Sequence, residues 1–340
     1  MRYVGVDLHK QTISVCVVEL VGRQRRIVER KRFACRDEEQ IADYFRQLGP
    51  YEAVVEATAS YEWFIELIEP TAQRVVLAHP GKLRVIAESK NKTDKLDAQT
   101  LAEFLALDQI PESWRPTTRV REHRALVRLR AYCQSRITSA KNKLRRIVAH
   151  YNADRSDLFS RAGRTYLATI DLLDADRLAV DLLCEELDQH ATRLKTVDKR
   201  LKEFAQAAPL AEQEARAVLA TVPCVGPVTT EVVLAEAGDV RRFSSQRKAT
   251  AYAGLAPGIR ESAGRAKQLG ITKAGSRLLR TVLVETAWRL TNKTQRWGAL
   301  YARLKKRCGA KKAIVAVARR VWCMMVSLLK SGQAYAPTPG

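Results

Sequence analysis

Between residues 183 and 204 the side chains Leu183, Leu187, His190, Leu194, Val197, Leu201 and Phe204 step by 4, 3, 4, 3, 4 and 3. A seam of that period predicts one long helix, over 176–206, whose apolar stripe must lie against another helix. A candidate partner precedes it. Over 118–149, Leu126, Cys133, Ala140 and Ile147 recur every seven residues, and Ile137 and Leu144 fill the alternate positions. The two helices can pair as a hairpin or across subunits, and the 183–204 seam is expected to drive oligomerisation. His190 on the seam reads as a register-setting polar residue rather than a ligand.

The N-terminal third has a different period. Residues 3–8, 12–20 and 26–34 read as β-strands, the first two joined by the hairpin-length Leu8-His9-Lys10-Gln11. Asp37 is placed to cap a helix running to about Leu48, which Gly49-Pro50 ends. Ala53–Ala57 and Arg74–Ala78 read as further strands, with a short helix over 61–69 between them. Thr93 or Asp94 opens a helix through Leu107 with Leu96, Leu101, Ala102 and Leu105 on one face. Three strands in succession followed by alternating helix and strand predict an α/β layer with a mixed sheet. The chain thus divides into an α/β domain (1–112), a coiled-coil helical domain (113–210) and a mostly helical domain (211–335), with helices over 246–256, 276–290 and 312–330.

Four acids punctuate the first domain. Asp7 ends Val-Gly-Val-Asp, Glu56 interrupts the apolar Val-Val-Glu-Ala, and Asp94 and Asp97 stand three apart in Lys-Thr-Asp-Lys-Leu-Asp. The last pair shares one helix face. Asp7 alone could be a strand-end turn residue, and Asp94 a simple helix cap. An acid inside an apolar strand, however, is costly without a partner or a metal. Three or four converging carboxylates are what a divalent-metal site for phosphodiester chemistry requires.

The net charge of +22 points to a polyanionic partner. The cations cluster: Arg115 to Arg146 holds eleven Lys and Arg against the single acid Glu122, and Arg296 to Arg320 holds nine against none. Arg121, Arg124, Arg128, Lys141 and Arg145 on the long basic helix, with Lys10 and Lys92 beside the acids, are expected to hold nucleic acid. Seven scattered cysteines without a Cys-x-x-Cys pair are expected to be reduced. No zinc spacing occurs, and no histidines pair at i, i+4. The chain enters a strand at once, so no secretion signal is expected, and the apolar stretch 313–329 is broken by Arg319-Arg320. A cytoplasmic, nucleoid-associated protein with no membrane partner is the expectation.

Two stretches of the last domain carry further chemistry. Leu219-Ala-Thr-Val-Pro-Cys-Val-Gly-Pro-Val-Thr (219–229) has the outline of a helix-hairpin-helix turn, which presents backbone N–H groups to phosphate, or of a plain helical turn. Cys224 stands where such turns usually have glycine. Gly254-Leu-Ala-Pro-Gly-Ile-Arg-Glu-Ser-Ala-Gly-Arg (254–265) reads as a Gly-Pro loop carrying Ser262, with Arg260, Arg265, Lys267, Lys273, Arg277 and Arg280 around it. A hydroxyl among cations on such a loop can bind phosphate or attack it. Ser244, Ser245 and Ser276 read as caps or turn residues.

Gly-Val-Asp-Leu-His-Lys (5–10), Val-Glu-Ala-Thr (55–58) and Lys-Thr-Asp-Lys-Leu-Asp-Ala (92–98) resemble the DEDD motif of the IS110/IS1111 insertion-sequence transposases, a family that includes Piv-like DNA invertases. Thr-Val-Pro-Cys-Val-Gly-Pro (221–227), Tyr-Ala-Gly-Leu-Ala-Pro (252–257), Glu-Ser-Ala-Gly (261–264) and Ile-Thr-Lys-Ala-Gly-Ser-Arg-Leu-Leu-Arg (271–280) resemble the same family's C-terminal transposase domain. The resemblance implies an RNase H-like (RuvC-like) N-terminal fold with Mg²⁺ (or Mn²⁺) bound by Asp7, Glu56, Asp94 and Asp97. It implies Ser262 as a nucleophile that forms a phosphoserine link to DNA. It also implies composite active sites in a tetramer assembled from dimers, and a structured non-coding bridge RNA that pairs with target and donor DNA. The alternatives are a RuvC-like junction nuclease in which Ser262 is only structural, a Piv-like invertase, and a non-catalytic nucleic-acid-binding protein.

Overall fold

A computed structural model describes residues 1–22, 24–57, 60–86, 94–262 and 265–336; the side chains of 84–86, 94–97, 259–262 and 265–268 lie outside that description. Lys92 and Thr93 lie outside it altogether. Two compact units follow one another, Met1–Arg115 and Pro116–Gly340.

The first unit is a five-stranded mixed sheet. Strands β1 (Arg2–Leu8), β2 (Thr12–Val21) and β3 (Gln24–Ala34) form an antiparallel meander. Strands β4 (Tyr51–Glu56) and β5 (Arg74–Ala78) then add in parallel on the far side of β1, giving the order β3-β2-β1-β4-β5. Helices α1 (Glu38–Gln47) and α2 (Glu62–Ile68) cover one face, packing Ile41, Phe45, Phe64 and Ile68 on Val4, Val6, Ala53 and Val55. Helices α3 (Pro80–Ile86) and α4 (Asp94–Ala106) cover the other, where Leu83, Leu101 and Leu105 meet Val54 and Val76. Covering both faces is why β1, β2 and β4 read as near-continuous apolar runs. Strand β3 is the exception: its Arg, Lys and Glu residues are mostly exposed on an edge, where charge discourages edge-to-edge pairing. This is the RNase H-like layout that the resemblance implies.

The second unit is largely helical: α5 (Thr118–Ala149), α6 (Arg161–Thr169), α7 (Asp174–Gln206), α8 (Leu210–Ala220), α9 (Pro227–Ala237), α10 (Gln246–Tyr252), α11 (Arg277–Lys293), α12 (Gln295–Cys308) and α13 (Ala310–Ser331). Between α10 and α11 stands one antiparallel hairpin, β6 (Pro257–Ser262) and β7 (Arg265–Ile271). The main core gathers Leu219, Val232, Leu283, Val317 and Trp322 around α9, α11 and α13, and the Trp322 indole donates to the Ala249 carbonyl at 2.8 Å.

The seam on α7 finds its partner inside the chain. Helices α5 and α7 run antiparallel, with Arg119 reaching the Phe204 carbonyl at one end and Ala140 and Leu144 packing on Val180 and Leu187 at the other. The seam expected to drive oligomerisation is therefore consumed by an intrachain hairpin. On α5 the buried stripe also departs from a strict heptad. Val127 and Val148 are buried, whereas Leu126 and Ile147 are only half-buried. A straight helix drifts against a seven-residue repeat, and α5 also packs on α9. His190 is buried, with Glu186 at 3.9 Å and the Tyr132 ring at 5.8 Å.

All seven cysteines are free thiols. Among the described residues no helix is long and apolar enough to cross a membrane.

Candidate metal centre, serine hairpin and basic surfaces

Strands β1 and β4 run parallel in a register that pairs Gly5 with Val54 and Val6 with Val55. Asp7 and Glu56 are the next residues on each strand. They share the face of Gly5 and Val54, since side chains alternate along a strand. That face is crossed by α4. A Cβ built on Gly5 would stand 2.0 Å from the Ala98 carbonyl oxygen, so helix and strand touch backbone to backbone there. The direction of α4 follows from its contacts with β3: Gln99 meets Arg30 and Glu103 meets Arg25. Arg30 is in register with Cys16, and hence with Gly5, while Arg25 is in register with Leu20, beyond the Glu19–Arg2 pair. Moving toward the N-terminus of α4 therefore leads toward the end of β1 that carries Asp7. The first turn of α4, with Asp94 and Asp97, lies at the same edge of the sheet as Asp7 and Glu56. The side chains of Asp94 and Asp97 themselves lie outside the description.

Asp7 is 7% exposed, and the ring nitrogen Nε2 of His9 stands 3.2 Å from its Oδ2. Glu56 is half-buried. Among the described residues no group of three metal-ligating side chains is complete. The donor chemistry nevertheless fits a hard divalent cation. Asp7 and Glu56 offer carboxylate oxygens from neighbouring strands, and an acid as buried as Asp7 is costly to charge unless a cation or hydrogen bonds compensate.

Within the stretch read as a loop, Pro257–Ser262 is strand β6, the first arm of the β6–β7 hairpin, and Arg265 opens β7. Ser262 is the last residue of β6, in register with Arg265, and Arg260 is in register with Lys267. Alternating residues and cross-strand pairing outweigh the glycines that suggested a loop; Gly254, at φ 66°, turns the chain before the hairpin instead. Below the hairpin, Thr272 donates to the Ala256 carbonyl and Lys273 to that of Gly254. Gly275 lies so close to Tyr252 that a Cβ would meet its carbonyl oxygen at 2.0 Å. Arg280 ties this base together by donating to the carbonyls of Gly275 (2.7 Å) and Ala253 (3.3 Å). Burial, then the neighbouring Arg277, pulls the Arg280 pKa below its ordinary value. Lys273 and Arg277 are exposed, as is Lys10 in the first unit. Ser245 and Ser276 cap α10 and α11 through hydrogen bonds to the amides of Lys248 and Leu279.

The cations expected on nucleic acid along α5 are largely engaged within the protein. Arg124 donates to the carbonyls of Ala235 and Glu236 and to the Tyr252 hydroxyl. Arg128 makes a two-pronged pair with Glu236, which is 1% exposed. Arg121 turns back to the Pro116 carbonyl and the Thr118 hydroxyl. Arg145 pairs with Asp154, and with Lys141 it flanks the Phe159 ring. A chain of alternating charge that sequence reading missed joins Arg119, Glu212, Arg216, Glu231 and His123 across α5, α8 and α9. Burial alone would raise the Glu231 carboxyl, but hydrogen bonds from His123 and Arg216 outweigh it and hold it below the usual range. Glu212 is likewise pushed up by burial, and Arg119 and Arg216 bring it below its ordinary value. Glu212 and Arg216 are one helical turn apart, but Arg119 and His123 on α5 lie 93 and 108 residues from Glu212 and Glu231, so counting charge along α5 alone could not have found the chain.

Residues 221–226 join α8 to α9. Cys224 adopts the left-handed conformation at φ 63°, which explains why such turns usually carry glycine. Gly226 caps α9 and Pro227 occupies its first turn. Cys224 and Gly226 line a hollow of about 400 Å³ with Arg289, Asn292 and Lys293.

Two family models match the chain. One for DEDD transposases of IS110 elements covers residues 4–153, and one described as "Transposase IS116/IS110/IS902 family" covers 216–302. The chain is 25% identical over 340 residues to a "Probable family 20 transposase" of Pseudomonas aeruginosa, spanning 98% of both chains. It is also 25% identical over 350 residues to the "Transposase for insertion sequence element IS1111A" of Coxiella burnetii, spanning 98% of this chain and 91% of that one.

Proposed function

The chain belongs to the IS110/IS1111 family of transposases, enzymes of DNA cleavage and strand transfer, and from that premise we propose an RNA-guided recombinase with a metal site and a serine nucleophile. The observation that carries the metal half is the common edge shared by Asp7, Glu56 and the first turn of α4. Asp7, Glu56, Asp94 and Asp97 would hold Mg²⁺ or Mn²⁺. Such an ion neutralises charge building on a phosphate and lowers the pKa of a bound hydroxyl.

The serine half rests on the hairpin. Ser262 closes β6 in register with Arg265. Its Oγ would attack a DNA phosphorus, forming the P–Oγ bond as the P–O3′ bond breaks. The net proton transfer is from Oγ to the departing 3′ oxygen. Another strand's 3′-hydroxyl then reverses the step on the same phosphorus, so bond energy is conserved. The guanidinium of Arg265 suits the phosphoryl oxygens, which gain charge in that step. The acids and the serine belong to different units. A tetramer in which sites are completed between protomers, with a bridge RNA on target and donor DNA, is part of the same reading, and the net charge of +22 supports such polyanionic partners.

Isothermal titration of the full chain with Mn²⁺ tests the metal half. Asp7→Asn combined with Glu56→Gln should abolish binding and recombination together. Undiminished Mn²⁺ binding by the double variant contradicts the assignment.

A further inference from the structure

Helices α12 and α13 enclose a cleft of about 1830 Å³. Arg303 and Arg307 line it from α12, and Arg319 and Arg320 from α13. All four are exposed, and among the described residues none has a hydrogen-bond or ion-pair partner. Here they differ from the arginines of α5, which reach carboxylates and carbonyls. No acid lines the cleft among the described residues. A second hollow of about 630 Å³ shares Arg303, Arg307 and Arg320 and extends the basic track.

Between the cations the lining mixes apolar side chains with uncharged polar ones such as Gln246, Thr294 and Ser327. Leu300, Ala316 and Met324 are half-buried and rest on the main core. Trp297 completes the wall at 4% exposure, and its indole N–H has no acceptor among the described residues.

Size and chemistry select the occupant. Small-molecule sites run to roughly 300–1,000 Å³, so this cleft suits a polymer segment. A duplex backbone needs cations but no apolar lining, because its bases are turned inward. An unpaired strand offers both surfaces at once: phosphates for the arginines, and base faces for the apolar wall and for guanidinium stacking. We infer that the α12–α13 cleft binds a short unpaired stretch of single-stranded DNA, of the kind exposed while strands are exchanged. The inference rests on the proposed DNA strand transfer for its biological setting, but not on the identity of the nucleophile or the metal ligands.

The test uses the full chain with three fluorescent probes: a short oligothymidylate, the same strand annealed to oligoadenylate, and an oligouridylate of equal length. A bromodeoxyuridine oligothymidylate locates the contact by photocrosslinking. We expect Arg303→Gln with Arg320→Gln to weaken oligothymidylate binding by about tenfold or more, as loss of stacked and phosphate contacts should. Duplex binding should change much less, and crosslinks should map to α12 and α13. Ala316→Trp, which fills the cleft without altering charge, should do the same; thermal unfolding checks that both variants are folded. Equal weakening of duplex and single strand, crosslinks confined to other elements, or tighter binding of oligouridylate would each overturn the assignment. Ser262→Ala should retain oligothymidylate binding. Loss of strand exchange in that variant with the crosslink intact therefore separates the nucleophile from the cleft.

Discussion

Gly5 of β1 and Ala98 of α4 touch backbone to backbone: a Cβ on Gly5 would stand 2.0 Å from the Ala98 carbonyl oxygen and 2.5 Å from the Ala102 amide nitrogen. That contact fixes how closely α4, with Asp94 and Asp97 in its first turn, approaches the strand that carries Asp7. Gly5→Ala must push helix from sheet. Overpacking of this kind costs about 1–3 kcal/mol or more, and here it also displaces half of the carboxylate set. Urea denaturation should show the loss of stability, and DNA cleavage should fall further than stability alone accounts for. Wild-type cleavage by a destabilised variant would show that the α4 position is unimportant to the site.

Arg128 is expected to be structural. It is the charged partner of Glu236, which is nearly inaccessible. Arg128→Ala should destabilise the protein by about 3 kcal/mol, the cost of leaving a buried charge alone. The salt dependence of DNA binding should keep its slope. A slope lower by about one would mean that Arg128 holds a phosphate instead.

The pair of Glu231 with Arg216, joined by two hydrogen bonds of 2.9 and 3.0 Å, sets a pH dependence. Glu231 and Glu212 are both held below the ordinary value of 4.5. The unfolded chain therefore binds more protons at these sites in acid. Their contribution is complete above about pH 4.5 and is lost as pH falls through the folded values. Glu231→Gln should flatten the acid decline of stability below that pH, and Arg216→Ala should cost about 3–5 kcal/mol at neutral pH. An unchanged acid slope in Glu231→Gln would assign the decline to other carboxylates.

Arg280 is expected to act on the serine hairpin through its base. Its hydrogen bonds to the Gly275 and Ala253 carbonyls cannot be replaced by glutamine at the same reach. Arg280→Gln should cost about 1–3 kcal/mol locally. Amide hydrogen exchange should then quicken across β6 and β7 while α13 remains protected. Uniform quickening across the unit would make Arg280 a general core residue.

The mixed sheet with its helices, and the strands that carry Asp7 and Glu56, were legible because each rests on local patterning: β-branched runs and alternation. The α5–α7 pairing was legible as a seam but not as an intrachain one, since a heptad does not say whose helix fills it. The hairpin carrying Ser262 was hidden because Gly258, Gly264 and Gly270 imitate a loop, while its strands are specified by pairing with each other. The internal roles of Arg124 and Arg128 were invisible, because their partners on α9 lie more than a hundred residues away. Clustered charge stays unpaired only where no acid folds against it, as at Arg303, Arg307, Arg319 and Arg320 among the described residues.

The most direct test of the account is to react the full chain with its DNA and the proposed guide RNA, quench in denaturant and look for protein–DNA adduct on a denaturing gel. A covalent species that is lost in Ser262→Ala, and also lost in Asp7→Asn with Glu56→Gln, is the predicted result. Full recombination by Ser262→Ala, with no adduct in any lane, would contradict it and leave a metal-dependent nuclease in its place.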